Sequence, residues 1–183
     1  MIWFTADLHF GHTNIMKYCN RPFSSTEEMD KTILDNINGY VMQDDELYIL
    51  GDFAMPGRHR LDYALSCFNK INCKNIILIK GNHDSPEILE FPWKAVYQYL
   101  ELNLTGKTPL VLFHFPMEEW DGYYKNSIHL HGHQHNLSPS KSEVRKFDVG
   151  VDTWKFCPVP LIEIERLAET KNNTPLKEDG KTH

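Results

Sequence analysis

Ile2-Trp3-Phe4-Thr5-Ala6-Asp7-Leu8-His9 is an apolar run that stops on two side chains able to ligate a metal, and the same arrangement recurs along the chain. Glu46-Leu47-Tyr48-Ile49-Leu50 stops on Gly51-Asp52, and Asn75-Ile76-Ile77-Leu78-Ile79 leads through Lys80 to Gly81-Asn82-His83-Asp84. Pro109 to Phe113 runs into His114, and Ser127 to His131 runs into Gly132-His133-Gln134-His135. Short runs rich in Ile, Val and Leu, bounded by Gly, Asp and Asn, read as strands. In open α/β sheets, ligands bind in the crevice beyond the carboxyl ends of the strands, so these five fragments are expected to converge.

Working outward, further strands are expected over Val96 to Leu102, Phe147 to Val151 and Leu161 to Glu165. Thr26 to Val41 is a helix by its spacing of Met29, Ile33, Ile37, Tyr40 and Val41, with Ser25 and Glu28 as a capping box. Leu61 to Lys70 is a second, since Leu61, Ala64, Leu65 and Phe68 share one stripe. The early strands alternate with helices and the late ones do not. That pattern is α/β, with antiparallel additions or a second sheet packed on the first: a two-sheet β-sandwich flanked by helices.

The chain has 183 residues, enough for one domain with a real core and too few for two full ones. Residues 1–167 are assigned to that domain, and the polar stretch 168–183 to a frayed or disordered tail. A formal charge of −6 gives no basic footprint, so a polymeric nucleic acid is not the expected partner. No apolar run is long enough to span a membrane, and no membrane partner is expected. The opening residues lack the basic segment and long apolar core of a secretory leader. The four cysteines (Cys19, Cys67, Cys73 and Cys157) form no CxxC pair. Reduced thiols and a cytoplasmic location follow as expectations.

Each fragment alone is weak, because Asp and Gly after a strand are more often turn chemistry than ligation. The ordered set is informative. The succession DxH, GD, GNHD, H, GHxH resembles the calcineurin-like metallophosphoesterase superfamily, in particular its small uncapped bacterial and phage members. The resemblance implies an αββα sandwich without a large cap. It also implies that Asp7, His9 and His135 hold one metal, that Asn82, His114 and His133 hold the other, and that Asp52 bridges them. His83 would protonate the leaving group, with Asp84 orienting and charging its imidazole, while a hydroxide bridging the metals attacks phosphorus. The donors are imidazole, carboxylate and amide without thiolate, which suits two Mn²⁺, Fe²⁺ or Zn²⁺ ions, with Mn²⁺ favoured.

Around these motifs several readings stay open. His12 is a phosphate contact, a partner of a ligand or a plain loop histidine, and Arg21 is a bidentate phosphate contact or a surface arginine before Pro22. Arg58, His59 and Arg60 read as a solvated face. His131 is a supporting or packing residue and His129 a packing one, although both share the strand side of His133. Asp148 and Asp152 either accept a hydrogen bond from a ligating histidine or make turns. Phe115, Trp120, Tyr123 and Tyr124 wall a pocket or cover a sheet edge.

The expected activity is hydrolysis of small phosphodiesters, nucleotidic ones among them. The alternatives are a phosphomonoesterase of the same fold, a polynucleotide-cutting nuclease and a non-catalytic metal-binding scaffold for protein interactions.

Overall fold

The computed structural model describes residues 1–55, 61–135 and 144–173. Among the described residues nine strands form two mixed sheets. In the first, β1 (Ile2–Thr5), β2 (Glu46–Ile49), β3 (Asn75–Ile79) and β4 (Ala95–Tyr97) run parallel, and β9 (Val159–Pro160) is antiparallel to β1. In the second, β5 (Tyr99–Leu102) is antiparallel to β6 (Leu110–Phe113), while β6, β7 (Ile128–His131) and β8 (Lys146–Asp148) are parallel.

The period of two along each strand decides what goes where. Trp3, Leu47 and Ile76 are register neighbours and face the helices, in a cluster with Met29, Ile33, Ile37, Ala64 and Phe68. Phe4, Tyr48 and Ile77 are the next neighbours and face the second sheet, packing with Leu112, Leu130, Phe147 and Val149. A strand with both faces buried reads as a continuous apolar run, which is why the parallel strands were visible in the sequence.

The helix expected over Thr26 to Val41 is α2 (Thr26–Tyr40), preceded by the short α1 (Thr13–Tyr18). Ser25 Oγ accepts from Glu28 N at 3.1 Å as the capping box requires, but the Glu28 carboxylate reaches Ser24 N rather than Ser25 N. The helix expected from Leu61 is α3 (Leu61–Asn69). The short α4 (Pro86–Leu89) follows the third strand.

Three expectations are corrected. The strand expected over Val96 to Leu102 is two strands, because the chain leaves the first sheet after Tyr97 and enters the second at Tyr99. The strand expected over Leu161 to Glu165 is a helix, α5 (Leu161–Ala168). Its Leu-Ile-Glu-Ile-Glu run imitates period two, yet Ile164 and Ala168, one helical turn apart, are the residues buried between the sheets, and Ile162 is 69 % exposed. Nor does the packed chain end at Leu167. Asn173 is buried; it accepts from Arg145 N and donates to Tyr123 O and Ser127 O. Residues 174–183, and Arg58, His59 and Arg60, lie outside the described residues. Among the described residues no helix is long and apolar enough to cross a membrane.

His129 and His131 point away from the first sheet, and both are buried. The connection from β6 to β7, with its 3₁₀ turn Tyr123–Lys125, covers His129: Trp120 lies 5.2 Å from its ring and Met117 N donates to its Nε2 at 3.2 Å. Its Nδ1–H donates to Val111 O, so the ring is a packed, neutral histidine, and burial holds its pKa down at about 3. An unfolded chain takes up that proton near pH 6.5 and the folded one does not, so stability should fall as pH drops from about 6.5 toward 3. Denaturant melts of His129→Gln should show a smaller loss between pH 7 and pH 4 than the unaltered protein; an unchanged slope would mean that other groups carry the acid sensitivity.

Candidate metal centre

Every candidate ligand sits just beyond the carboxyl end of a strand: Asp7 and His9 after β1, Asp52 after β2, Asn82 after β3, His114 after β6, and His133 and His135 after β7. The loops are stitched to one another before any side chain acts. Asp7 N donates to Gly51 O and His9 N to Asp52 O, each at 3.0 Å, and Gly132 N donates to His114 O at 3.0 Å. Five of the seven candidates have left-handed backbones: Asp7 (φ 57°), His9 (52°), Asp52 (56°), His133 (70°) and His135 (48°). That conformation is unfavourable by roughly 1–2 kcal/mol for a residue with a Cβ, and such strain collects at functional sites where the surroundings hold it in place. Here it turns alternate side chains out of the sheet ends toward one point.

The two sheets meet at Asp7. Its carboxylate accepts His133 N–H (2.9 and 3.1 Å), and Ala6 bridges to Gly150 while Val151 N donates to Ala6 O. Gly132 allows this: a Cβ there would lie 2.6 Å from both Ala6 Cβ and Asp7 Oδ2.

The assembled donors leave a charge imbalance. Asp7, Asp52, Asp84 and Asp148 are all buried, and among the described residues Arg21 is the only buried Lys or Arg. Burial, then Asp148 and Asp52, push the Asp7 carboxyl well above the usual range. Burial, then His135 and Arg21, hold His9 well below the usual histidine range. His9 is therefore neutral, and its 3.5 Å approach to Asp52 Oδ2 is no ion pair.

The lone pairs also converge. His114 Nδ1–H donates to Leu50 O at 2.7 Å, which leaves its Nε2 as a lone pair facing Asn82 Oδ1 at 2.9 Å and Asp52 Oδ2 at 3.6 Å. His133 Nδ1 faces the same amide oxygen at 3.0 Å, and burial keeps its ring below the usual pKa. His135 Nδ1–H donates to Asp152 Oδ2 at 2.8 Å, turning its Nε2 toward Asp7 Oδ1 at 3.9 Å. Both nitrogens of His9 are buried without a hydrogen-bond partner. An unsatisfied buried polar atom costs about 1–3 kcal/mol. The Nε2 lone pairs of His114 and His135 aimed at oxygen acceptors, and the unpartnered nitrogens of His9, beside surplus buried carboxylates, fit divalent cations. Asp7, His9 and His135 offer ligand atoms within 4.8 Å of one another, and so do Asp7, Asp52 and His114.

Several residues differ from expectation. Arg21, read as either a phosphate contact or a surface arginine, is neither and is turned inward: its side chain is 0 % exposed and bidentate to Asp152. Its donors were already claimed by carboxylate and carbonyl oxygens, and nothing local in Arg21-Pro22-Phe23 signals this. Asp84 does not orient the His83 imidazole. Its carboxylate accepts the backbone N–H groups of Asp52, Phe53 and Gly81, tying the loop after β2 to the loop after β3. The exposed His83 is held instead through its backbone N–H, which donates to Asp52 Oδ1 at 2.8 Å, and its ring lies 5.6 Å from that of His9. His12 is half-buried, 5.4 Å from the His9 ring.

Of the two aspartates left open, Asp152 accepts from His135 and Asp148 makes a turn with Gly150 N. His131 Nδ1 bonds to the Gly132 carbonyl at 2.9 Å. Phe115 lies against the His133 ring at 4.6 Å, while Trp120 is in the layer over His129. Cys19 reaches His135 and Asp152, but burial pushes its thiol up to about 11, so it stays protonated at neutral pH. All four cysteines are free.

Gly132→Ala should destabilise the protein by about 1–3 kcal/mol through overpacking at Asp7, lowering Tm by several degrees. Thermal melts check this, and an unchanged Tm would show that the seam has room to relax.

The sequence pattern of the calcineurin-like phosphoesterases matches residues 1–157. An uncharacterized protein of Methanocaldococcus jannaschii is 32 % identical over 176 residues, covering 92 % of this chain and 91 % of that one. The gene 66 protein of Mycobacterium phage L5 is 27 % identical over 183 residues, covering 83 % and 86 %. A solved structure of a protein of unknown function from Aquifex aeolicus superposes with a TM-score of 0.75 at 25 % identity, covering 91 % of this chain and 98 % of that one. With its strand-end donors gathered at the junction of two sheets, the chain belongs to the calcineurin-like phosphoesterase family.

Proposed function

We propose that this phosphoesterase is a hydrolase of small phosphodiesters that works with two divalent cations. Asp7, His9 and His135 would hold one and Asn82, His114 and His133 the other, with the Asp52 carboxylate available to both. The observation that carries the reading is His9, a neutral and fully enclosed imidazole whose two nitrogens have no hydrogen-bond partner in a nest of buried carboxylates. When bound, such cations supply Lewis acidity toward phosphate oxygens and acidify water near neutral pH.

The chain's own groups divide the remaining work. Leu50 O and Asp152 fix His114 and His135 in the Nδ1–H tautomer, so each presents an Nε2 lone pair without rearrangement. Asp52 approaches His9 and His114 at 3.5 and 3.6 Å, within reach of both donor groups. His83 stands exposed at the rim, where an imidazolium can give its proton to the departing alkoxide. Phe115, beside His133, offers an apolar wall for the alcohol part of a diester. The net charge of −6 disfavours long polyanions, which supports a small substrate over a polymeric nucleic acid.

Hydrolysis of bis-p-nitrophenyl phosphate and p-nitrophenyl phosphate by metal-stripped protein, with and without added Mn²⁺, tests this directly. Mn²⁺-dependent release that is faster on the diester is expected. Faster release from the monoester would reverse the substrate class, and silence on both with two metals bound would favour a binding scaffold. His83→Ala should lower turnover by roughly 10²–10⁴-fold while two Mn²⁺ remain bound by metal analysis. Loss of metal with that substitution would remove His83 from the proton-donor role.

A further inference from the structure

We infer that Arg21 and Asp152 form a buried positioning pair that sets the affinity of one cation site, the one facing Asp7, His9 and His135, and leaves the other nearly untouched. The inference rests on the metal centre proposed above.

Arg21 reaches every element of that half of the site and none of the other. Its Nε donates to Asp152 Oδ1 and one terminal nitrogen to Asp152 Oδ2, both at 2.8 Å. The same terminal nitrogen donates to Asp7 O at 2.7 Å, and the second donates to Leu8 O at 3.2 Å. Those carbonyls belong to the turn whose left-handed residues Asp7 and His9 carry two of the proposed ligands. Asp152 Oδ2, in turn, accepts His135 Nδ1–H at 2.8 Å and so orients the third. One guanidinium thus connects two loops that are more than a hundred residues apart in the chain. Asn82, His114 and His133 have no hydrogen bond to either member: Leu50 O orients His114, the Asp7 carboxylate holds the backbone N–H of His133, and Asn82 Oδ1 meets only those two rings.

The pair is also fully enclosed, with side-chain exposures of 0 % and 1 %. A buried ion pair gives little net stability against an apolar pair of similar volume, whereas removing one partner alone is strongly destabilising. A geometry that satisfies nearly all the guanidinium donors at the back of three candidate ligands is better accounted for by orientation than by stability. Loss of a partner that orients a metal ligand typically lowers metal affinity by roughly 10–100-fold.

The test is stepwise Mn²⁺ binding to the metal-stripped full-length protein by titration calorimetry, with the electron paramagnetic resonance spectrum read at a Mn²⁺ concentration that just fills both sites of the unaltered protein. Arg21→Lys, Asp152→Asn and the double variant Arg21→Met/Asp152→Leu are compared with the unaltered protein, and thermal melts of the metal-free forms report folding. The double variant guards against misfolding by removing both charges together. We expect two binding steps in the unaltered protein. In each variant one step should weaken by roughly 10–100-fold while the other is kept, and the spectrum should change from that of a spin-coupled pair to that of a single Mn²⁺. Unchanged affinities would overturn the inference, as would equal weakening of both steps in parallel with a lower melting temperature, the mark of a purely structural pair. A double variant that melts normally and binds both ions at full strength would overturn it too. Absence of Mn²⁺ binding by the unaltered protein would instead bring down the proposed metal centre itself.

Discussion

A carboxylate enclosed where two sheets meet is the constraint around which this molecule is arranged. Asp7 leaves the first sheet at the end of β1 and accepts the His133 N–H that follows β7 of the second. The neighbouring Ala6 bridges to Gly150 beyond β8. Two residues without side chains, Gly132 and Gly150, allow the carboxylate to lie against the seam. The same enclosure makes its negative charge expensive, with Asp52 and Asp148 close enough to raise its pKa further. A fold that buries these acids against, among the described residues, a single buried arginine is matched to added positive charge, and the cations that suit the donors are the natural source of it.

Strain and support are balanced in the same place. The left-handed residues at Asp7, His9, Asp52, His133 and His135 would each relax in an unsupported loop. They persist because the loops hydrogen-bond to one another as a continuation of the sheets, and because buried side chains hold the turns from behind. Asp84 does this for the loops after β2 and β3, and Arg21 for the turn after β1. The site is therefore rigid at its base, while His83, Phe115 and His12 at its rim are at least partly accessible to a substrate.

Much of the architecture was legible in the sequence. Strands covered on both faces read as uninterrupted apolar runs, α2 carried its stripe and its cap, and the donors stood in order after successive strands. Where the reading failed, two physical patterns competed. Leu161 to Glu165 satisfies period two as well as a helical stripe, and only the docking of Ile164 and Ala168 between the sheets selects the helix. Val96 to Leu102 is one apolar-rich run whose division between two sheets leaves no compositional mark. Asn173 lies in a polar stretch, yet its side-chain amide finds three backbone partners, at Tyr123, Ser127 and Arg145, and its backbone N–H donates to Asn126 Oδ1.

The sequence by itself determined which chemical groups emerge at the strand ends, because strand periodicity and turn-forming residues are local properties of the chain. It could not determine which donor meets which acceptor across the fold. Arg21 was chemically suited to a phosphate and Asp84 to an imidazole, and both were drawn to partners that only the closed structure supplies: Asp152 across the seam, and the backbone N–H groups of neighbouring loops. A buried charge goes where its hydrogen bonds can be completed, and that geometry exists only once the sheets have packed.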